Sequence, residues 1–192
     1  MCVIIIKKKG VRMPSENELR LAATHNPHGF GFVSSNGLYV RTMDFEEFYQ
    51  ALKGVGREDA CIIHFRIATH GSVRVSNCHP FKMHGIYFAH NGILPTHPRG
   101  DMTDSETEFR DVLCPAAEFY GLGTKEFADL VARRIYYSKF AFMKDGEVYT
   151  YGKFVTDRHG VMWSNMNHRP YLNWGSPYCK EGRAYMPTVI TR

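Results

Sequence analysis

The chain has 192 residues, of which 44% are apolar, 22% charged and 14% aromatic. That composition suits one globular domain able to bury its own core, and it excludes a disordered or fibrous chain. The net charge of +5 arises from scattered basic residues and one run, Lys7-Lys8-Lys9, which reads as a solvated strand edge and makes nucleic-acid binding the weaker alternative.

The chain opens with Val3 to Ile6, a β-branched run expected to be a buried strand. It is too short for a secretory signal, and no cationic segment precedes it. No apolar run elsewhere nears the ~18 residues a membrane helix needs. A cytoplasmic protein with no membrane association is therefore expected. Ser15-x-x-Glu18 is a capping box that predicts a helix to about Thr24. Gly29 to Val33 and Leu38 to Arg41 read as strands around the turn Ser34-Ser-Asn-Gly37. Asp44-x-x-Glu47 caps a second helix carrying Phe45, Phe48 and Leu52 on one face.

Cys61 to Phe65 is the next strand, followed by a polar stretch from Arg66 to Pro80. Gly85 to His90 is another strand, ending at Asn91-Gly92. A helix is expected from Asp104 or Ser105 to a point before Pro115, because proline cannot continue a helix hydrogen-bond ladder. Thr124 opens a further helix to about Tyr136. Phe140 to Met143 and Glu147 to Tyr151 flank Lys144-Asp145-Gly146 as a hairpin. The last 40 residues show little regular pattern. No repeat or linker divides the chain, so residues 2–192 are expected to form one domain. The order of elements favours an α+β fold over a parallel βαβ sheet.

Five cysteines are present, Cys2, Cys61, Cys78, Cys114 and Cys179. The odd count and the absence of C-x-x-C spacing predict reduced thiols. Cys2 stands apart. If Met1 is removed, its thiol sits beside a free α-amine whose ordinary pKa of about 7.7–8.0 lets it act as a base near neutral pH. Taken alone, Cys2 reads more simply as a small residue at a strand start.

Three further segments carry polar groups in unusual density. In His64-Phe-Arg-Ile-Ala-Thr-His-Gly71, Arg66 lies between apolar residues at a strand end, where a guanidinium can grip a carboxylate through two hydrogen bonds. Asn77-Cys-His-Pro-Phe81 leads to Tyr87-Phe-Ala-His-Asn-Gly-Ile-Leu94, in which Asn91 and Gly92 offer a side-chain amide and an unobstructed backbone N–H, the parts of an oxyanion hole. The common alternative for Asn-Gly is a hairpin turn. Thr103-Asp-Ser-Glu-Thr-Glu108 is a helix cap whose carboxylates could also hold an ammonium group.

In combination, Cys2, Arg66-Ile-Ala-Thr-His-Gly71, Asn77-Cys-His-Pro80, His90-Asn-Gly-Ile93 and the Asp-Ser-Glu segment resemble the class II glutamine amidotransferase domain, an N-terminal nucleophile hydrolase in a stand-alone form. The resemblance implies a four-layer αββα sandwich and a glutaminase reaction. It implies that Cys2 is the nucleophile, that Asn91 and Gly92 form the oxyanion hole, and that Arg66 holds the substrate α-carboxylate in a pocket lined by Thr69, His70 and His79. Asp104 would bind the substrate ammonium, with Glu106 as a second possible register. The implied ligand is L-glutamine or a γ-glutamyl compound. The implied partner is a synthetase working in trans, and no cofactor is required.

Ile67 stands where many members of that family carry tryptophan. The smaller side chain leaves open a γ-glutamyl hydrolase with a bulkier leaving group. Histidines 64, 70, 79, 84 and 90 fall close together, but their spacing matches no metal motif, and no metal is expected. A non-catalytic binding protein on the same scaffold is disfavoured, because the set from Cys2 to Gly92 is complete.

Overall fold

A computed structural model describes residues 1–68 and 71–167. In chain order the elements are β1 (Val3–Lys7), α1 (Glu16–His25), β2 (Phe30–Ser34), β3 (Tyr39–Thr42), α2 (Phe45–Leu52), β4 (Cys61–Phe65), β5 (Phe81–Met83) and β6 (Ile86–Asn91). They continue as α3 (Asp104–Glu108), α4 (Cys114–Tyr120), α5 (Lys125–Ala132), β7 (Lys139–Lys144), β8 (Glu147–Tyr151), β9 (Val155–Thr156) and β10 (Met162–Trp163). A 3₁₀ turn covers Val75–Asn77, and a π-helical turn, Phe109–Leu113, joins α3 to α4.

The strands make two antiparallel sheets. One has the order β3-β2-β4-β1-β10-β9 and the other β5-β6-β7-β8. β1 is central in the first sheet, which explains why its Val-Ile-Ile-Ile-Lys run is buried throughout. Ile5 pairs with Ile63 on one side and with Trp163 on the other. In the second sheet β6 lies between β5 and β7, with Phe88 opposite Phe81 and Phe142.

Three apolar clusters follow from the two-residue period of the strands. Val3, Ile5, Phe32 and Phe65 meet Leu19 of α1 and Phe48 of α2. Phe88, Phe140 and Phe142 meet Cys114 of α4 and Phe127 of α5. The alternate residues Ile4, Ile6, Val33 and Ile62 of the first sheet meet Ala89, Ala141 and Met143 of the second. The protein is thus a mixed helix and sheet fold with apolar packing on both faces of β1. Among the described residues no helix is long and apolar enough to cross a membrane.

The predicted caps form as read. Ser15 accepts from the Glu18 N–H while the Glu18 carboxylate accepts from the Ser15 N–H, completing the capping box. Asp44 accepts from the Glu46 and Glu47 N–H groups, and Thr124 from that of Phe127. Asp145 and Gly146, with φ of 51° and 77°, make the two-residue turn between β7 and β8.

Four local expectations are corrected. Lys7 is not a solvated edge. It is 1% exposed, and its ammonium donates to the carbonyls of Arg57 at 2.7 Å and Asp59 at 2.5 Å, so main-chain oxygens replace water. The helical stretch after Asp104 does not stop before Pro115. Proline enters at the first turn of α4, and the π-helical turn lets the Cys114 N–H reach Phe109 O, which absorbs the missing donor. The polar stretch from Arg66 is followed by β5, a hairpin partner for β6. The region after 152 contributes β9 and β10, which are too short to show a sequence period. The remaining residues from 168 onward, with Trp174 and Cys179, lie outside the described residues, as do Thr69 and His70.

Candidate active site

Cys2 lies one step beyond the Val3–Phe65 pair of β1 and β4, which brings it alongside the segment that leaves β4. Its thiol sits against the Ile67 backbone, accepting from the N–H at 3.4 Å and donating to the carbonyl oxygen at 3.5 Å. Burial pushes the Cys2 thiol up from its ordinary pKa. The Ile67 backbone, the nearby terminal amine and the Arg66 guanidinium pull in the opposite direction. Met1 before it is exposed. While Met1 is attached, the nitrogen of Cys2 is an amide and cannot serve as a base.

Arg66 is 4% exposed. Its main chain is fixed by bonds from its N–H to Gly29 O and from the His28 N–H to its own carbonyl, at 2.8 and 2.9 Å. Its guanidinium donates to Ser72 O at 3.1 Å, and the Asn77 amide donates to the same carbonyl at 2.9 Å. The Arg66 and Asn77 motifs, eleven positions apart in sequence, are therefore stapled together by one backbone oxygen.

His79 is buried, and neither of its ring nitrogens has a partner among the described residues. Its ring packs 4.3 Å from the ring of His64 and 4.3 Å from that of Phe81. Its backbone is admitted by Gly31, where a Cβ would stand 2.2 Å from His79 O and 2.8 Å from Val40 O. Any side chain at 31 would push the Asn77–Pro80 segment off β2.

Asn91 and Gly92 end β6. The hairpin alternative fails, because β6 pairs with β5 and β7 and the chain leaves Gly92 into a loop. Gly92 has φ 148°, and a Cβ there would meet Ser138 Oγ at 2.2 Å, so both conformation and space require glycine. Asn91 is 1% exposed. Its amide donates to Ser164 Oγ at 2.8 Å, and its own Oδ1 has no partner among the described residues. The preceding residue, His90, accepts on its carbonyl from His64 Nε2 at 3.0 Å, a bond that ties the two sheets together next to Asn91.

Residues 48–139 match the family model of class-II glutamine amidotransferases. That stretch is similar to the class-II glutamine amidotransferases. The matched span holds Arg66, His79, Asn91, Gly92 and Asp104, with Thr69 and His70, and it begins after Cys2. Two solved structures are similar in fold to this chain. One is the allosteric regulatory enzyme of purine biosynthesis, at TM-score 0.53 and 16% identity. The other is glutamine phosphoribosylpyrophosphate amidotransferase from B. subtilis complexed with ADP and GMP, at TM-score 0.51 and 17% identity. Each comparison covers 85% of this chain and 42% of the other, so the chain spans about two fifths of the length of these structures. No curated protein matches it.

The two carboxylates that sequence left as alternatives are differently placed. Asp104 accepts from the Leu94 N–H at 3.1 Å and from the Ser105 hydroxyl at 3.2 Å, which anchors the loop that follows Gly92. Glu106 is turned to Arg110, whose Nε lies 2.8 Å from it. Ser105 in turn contacts His90 Nδ1 at 2.6 Å, so the start of α3 is bonded to both sides of the Asn91 position.

Burial lowers the pKa of three histidines around this site: His64 to about 3, His90 to about 4, and His79 well below its ordinary value. All three are neutral at physiological pH. No group of described residues is arranged to hold a metal ion. Sequence reasoning missed Ser164 and Asn165. Ser164 Oγ accepts from the Ile4 N–H at 2.8 Å, the Ser164 N–H donates to Ile4 O at 2.9 Å, and the Asn165 amide donates to Cys2 O at 2.7 Å. No local signal marks either residue.

Proposed function

We propose that this domain hydrolyses the side-chain amide of L-glutamine through a thioester on Cys2, the glutaminase half of an amidotransferase reaction. The observation that carries the reading is convergence. Cys2 at the start of β1, Arg66 at the end of β4 and Asn91-Gly92 at the end of β6 come to one end of the two sheets, and short hydrogen-bonded bridges connect them. The same reading takes the fold as the four-layer αββα sandwich of N-terminal nucleophile hydrolases. The three apolar clusters support it, one between the sheets and one on each outer face.

In this mechanism removal of Met1 frees the α-amine of Cys2. The amine takes the thiol proton, directly or through one water, as sulfur attacks the amide carbon. The tetrahedral oxyanion is met by the Asn91 amide and the Gly92 N–H. The amine returns the proton to the departing nitrogen, and ammonia leaves. Water then adds to the thioester, the sulfur departs as a thiol, and glutamate is released. Arg66 grips the α-carboxylate, with Thr69, His70 and His79 completing the pocket, and Asp104 faces the α-ammonium. This reading favours Asp104 of the two acids, since it is bonded to the loop after Gly92 while Glu106 is turned to Arg110. One of the two structures similar in fold is an amidotransferase, and an acceptor for the ammonia is the partner this reading requires.

Ile67 supports a second reading on the same chemistry. Its backbone touches the nucleophile, and its aliphatic side chain leaves more room than an aromatic one. A γ-glutamyl amide with a larger amine could occupy that room. The deciding experiment assays protein of known N-terminus against L-glutamine and a panel of γ-glutamyl amides, following ammonia and amine release separately. Ammonia from glutamine at the higher kcat/KM supports the glutaminase reading. Faster amine release from the conjugates supports the second. No hydrolysis of either class by protein that begins at Cys2 rejects both.

A further inference from the structure

We propose that Ser164 is the positioning residue that turns the Asn91 amide toward the oxyanion, an inference that rests on the glutaminase reading above. Ser164 is 4% exposed and follows β10, where Trp163 pairs with Ile5 of the nucleophile strand. Its hydroxyl oxygen accepts two bonds, from the Ile4 N–H and from Asn91 Nδ2, each at 2.8 Å. It is therefore the one side chain among the described residues that bonds both the strand carrying Cys2 and the side chain assigned to the oxyanion hole. Its neighbour Asn165 holds the Cys2 carbonyl at 2.7 Å. Residues 164 and 165 together clamp the position of the nucleophile relative to Asn91.

The hydrogen-bond balance of this pair is incomplete. Asn91 Oδ1 is buried without a partner, and the hydroxyl proton of Ser164 has no acceptor among the described residues. A half-turn of the Asn91 side-chain amide about its last bond resolves both. Ser164 keeps the Ile4 N–H as donor and gives its own proton to Asn91 Oδ1. Asn91 Nδ2 then occupies the place where Oδ1 stood unpartnered, free to donate to a developing negative charge. A serine hydroxyl suits this role because it donates and accepts at one atom. In one orientation Ser164 holds the Asn91 donor in reserve, and in the other it fixes the donor outward.

The test uses the full chain, L-glutamine as the probe, and five proteins: wild type, Ser164→Ala, Ser164→Thr, Asn91→Ala and Ser164→Ala combined with Asn91→Ala. Thioester formation is followed in a single turnover, with iodoacetamide alkylation of Cys2 as a measure of nucleophile reactivity alone. Loss of positioning at the oxyanion should slow acylation by Ser164→Ala about ten- to a hundredfold. KM and the alkylation rate should stay near wild type, and Ser164→Thr, which keeps the hydroxyl, should recover most of the loss. Adding Ser164→Ala to Asn91→Ala should slow acylation little further, because the hydroxyl acts through that amide. Wild-type acylation by Ser164→Ala overturns the inference. Equal loss of acylation and alkylation overturns it too, by placing the effect on β1, as does full additivity with Asn91→Ala. If Ser164→Ala does not fold, Ser164→Cys, a weak donor, takes its place under the same criteria. Absence of a thioester in wild-type protein rejects the glutaminase reading itself.

Discussion

The Cys2 sulfur lies 3.4 Å from the Ile67 N–H and 3.5 Å from the Ile67 carbonyl oxygen. The first contact favours a thiolate and the second holds a thiol, so the backbone just after Arg66 can stabilise either form of the Cys2 side chain. That contact follows from the register of β1 on β4, in which Val3 faces Phe65.

Cys2 is expected to be the thiol that reacts. Cys61, Cys78 and Cys114 have no exposed surface, whereas Cys2 is half-buried. Burial pushes the Cys114 thiol up to about 11 and raises those of Cys61 and Cys78 as well. A glutamine-like electrophile should label Cys2 first, and Cys2→Ser should lose nearly all turnover while keeping the wild-type melting temperature. Peptide mapping of the labelled protein checks this. A label on any other cysteine in preference to Cys2 rejects the assignment.

Arg66→Lys should raise KM for glutamine about ten- to a hundredfold, the equivalent of losing a charge-assisted contact of roughly 1.5–3 kcal/mol. The planar fork is replaced by a point charge. Glutamine amide, which has no α-carboxylate, should be affected little. An equal penalty on both compounds would mean that Arg66 serves mainly to hold the Ser72 carbonyl and the Asn77 segment.

Asn91→Ala should lower single-turnover acylation by ~10²–10³ with ground-state binding nearly unchanged. Some loss of stability should accompany it, because the bond to Ser164 Oγ disappears. Melting temperature and acylation rate, taken on one preparation, separate the two effects. A destabilised variant that acylates at the wild-type rate would contradict the oxyanion role.

Stability should fall as pH drops below about 6.5. Burial holds His64 near 3, His90 near 4 and His79 well below its ordinary value in the folded protein. In the unfolded chain each takes up a proton from about 6.5 downward. The unfolded state then binds more protons, and stability declines with falling pH until the folded pKa is reached. At pH 5.5 each histidine should cost on the order of 1 kcal/mol. Urea unfolding between pH 7.5 and 5 tests this window, which lies above the range where carboxylates titrate. A flat profile would show that the three rings are hydrated or paired in solution.

Much of the local structure was legible in the residue order. The β-branched run at Val3, the Ser15 and Asp44 caps and the Asp145-Gly146 turn act within a few residues, so their signals survive without the fold. The motif residues Cys2, Arg66, His79, Asn91 and Asp104 are picked out by the resemblance their motifs carry in combination, since taken singly most have an ordinary structural reading.

What tertiary structure decided are relationships between distant positions. Lys7 looks like an edge lysine until the carbonyls of Arg57 and Asp59 close over its ammonium. Asn91-Gly92 could be a hairpin turn until β7, rather than the next segment of chain, pairs with β6. Asp104 and Glu106 are equivalent by pattern and differ only through Leu94 and Arg110. Ser164, distant in sequence from Ile4, gives no sign of bonding it, because β10 is two residues long and too short for any period to appear. Composition and periodicity specify which face of an element is apolar. Only packing specifies which remote backbone or side chain satisfies a buried polar group, and at this site such pairings hold the Cys2 thiol, the Arg66 guanidinium and the Asn91 amide in place.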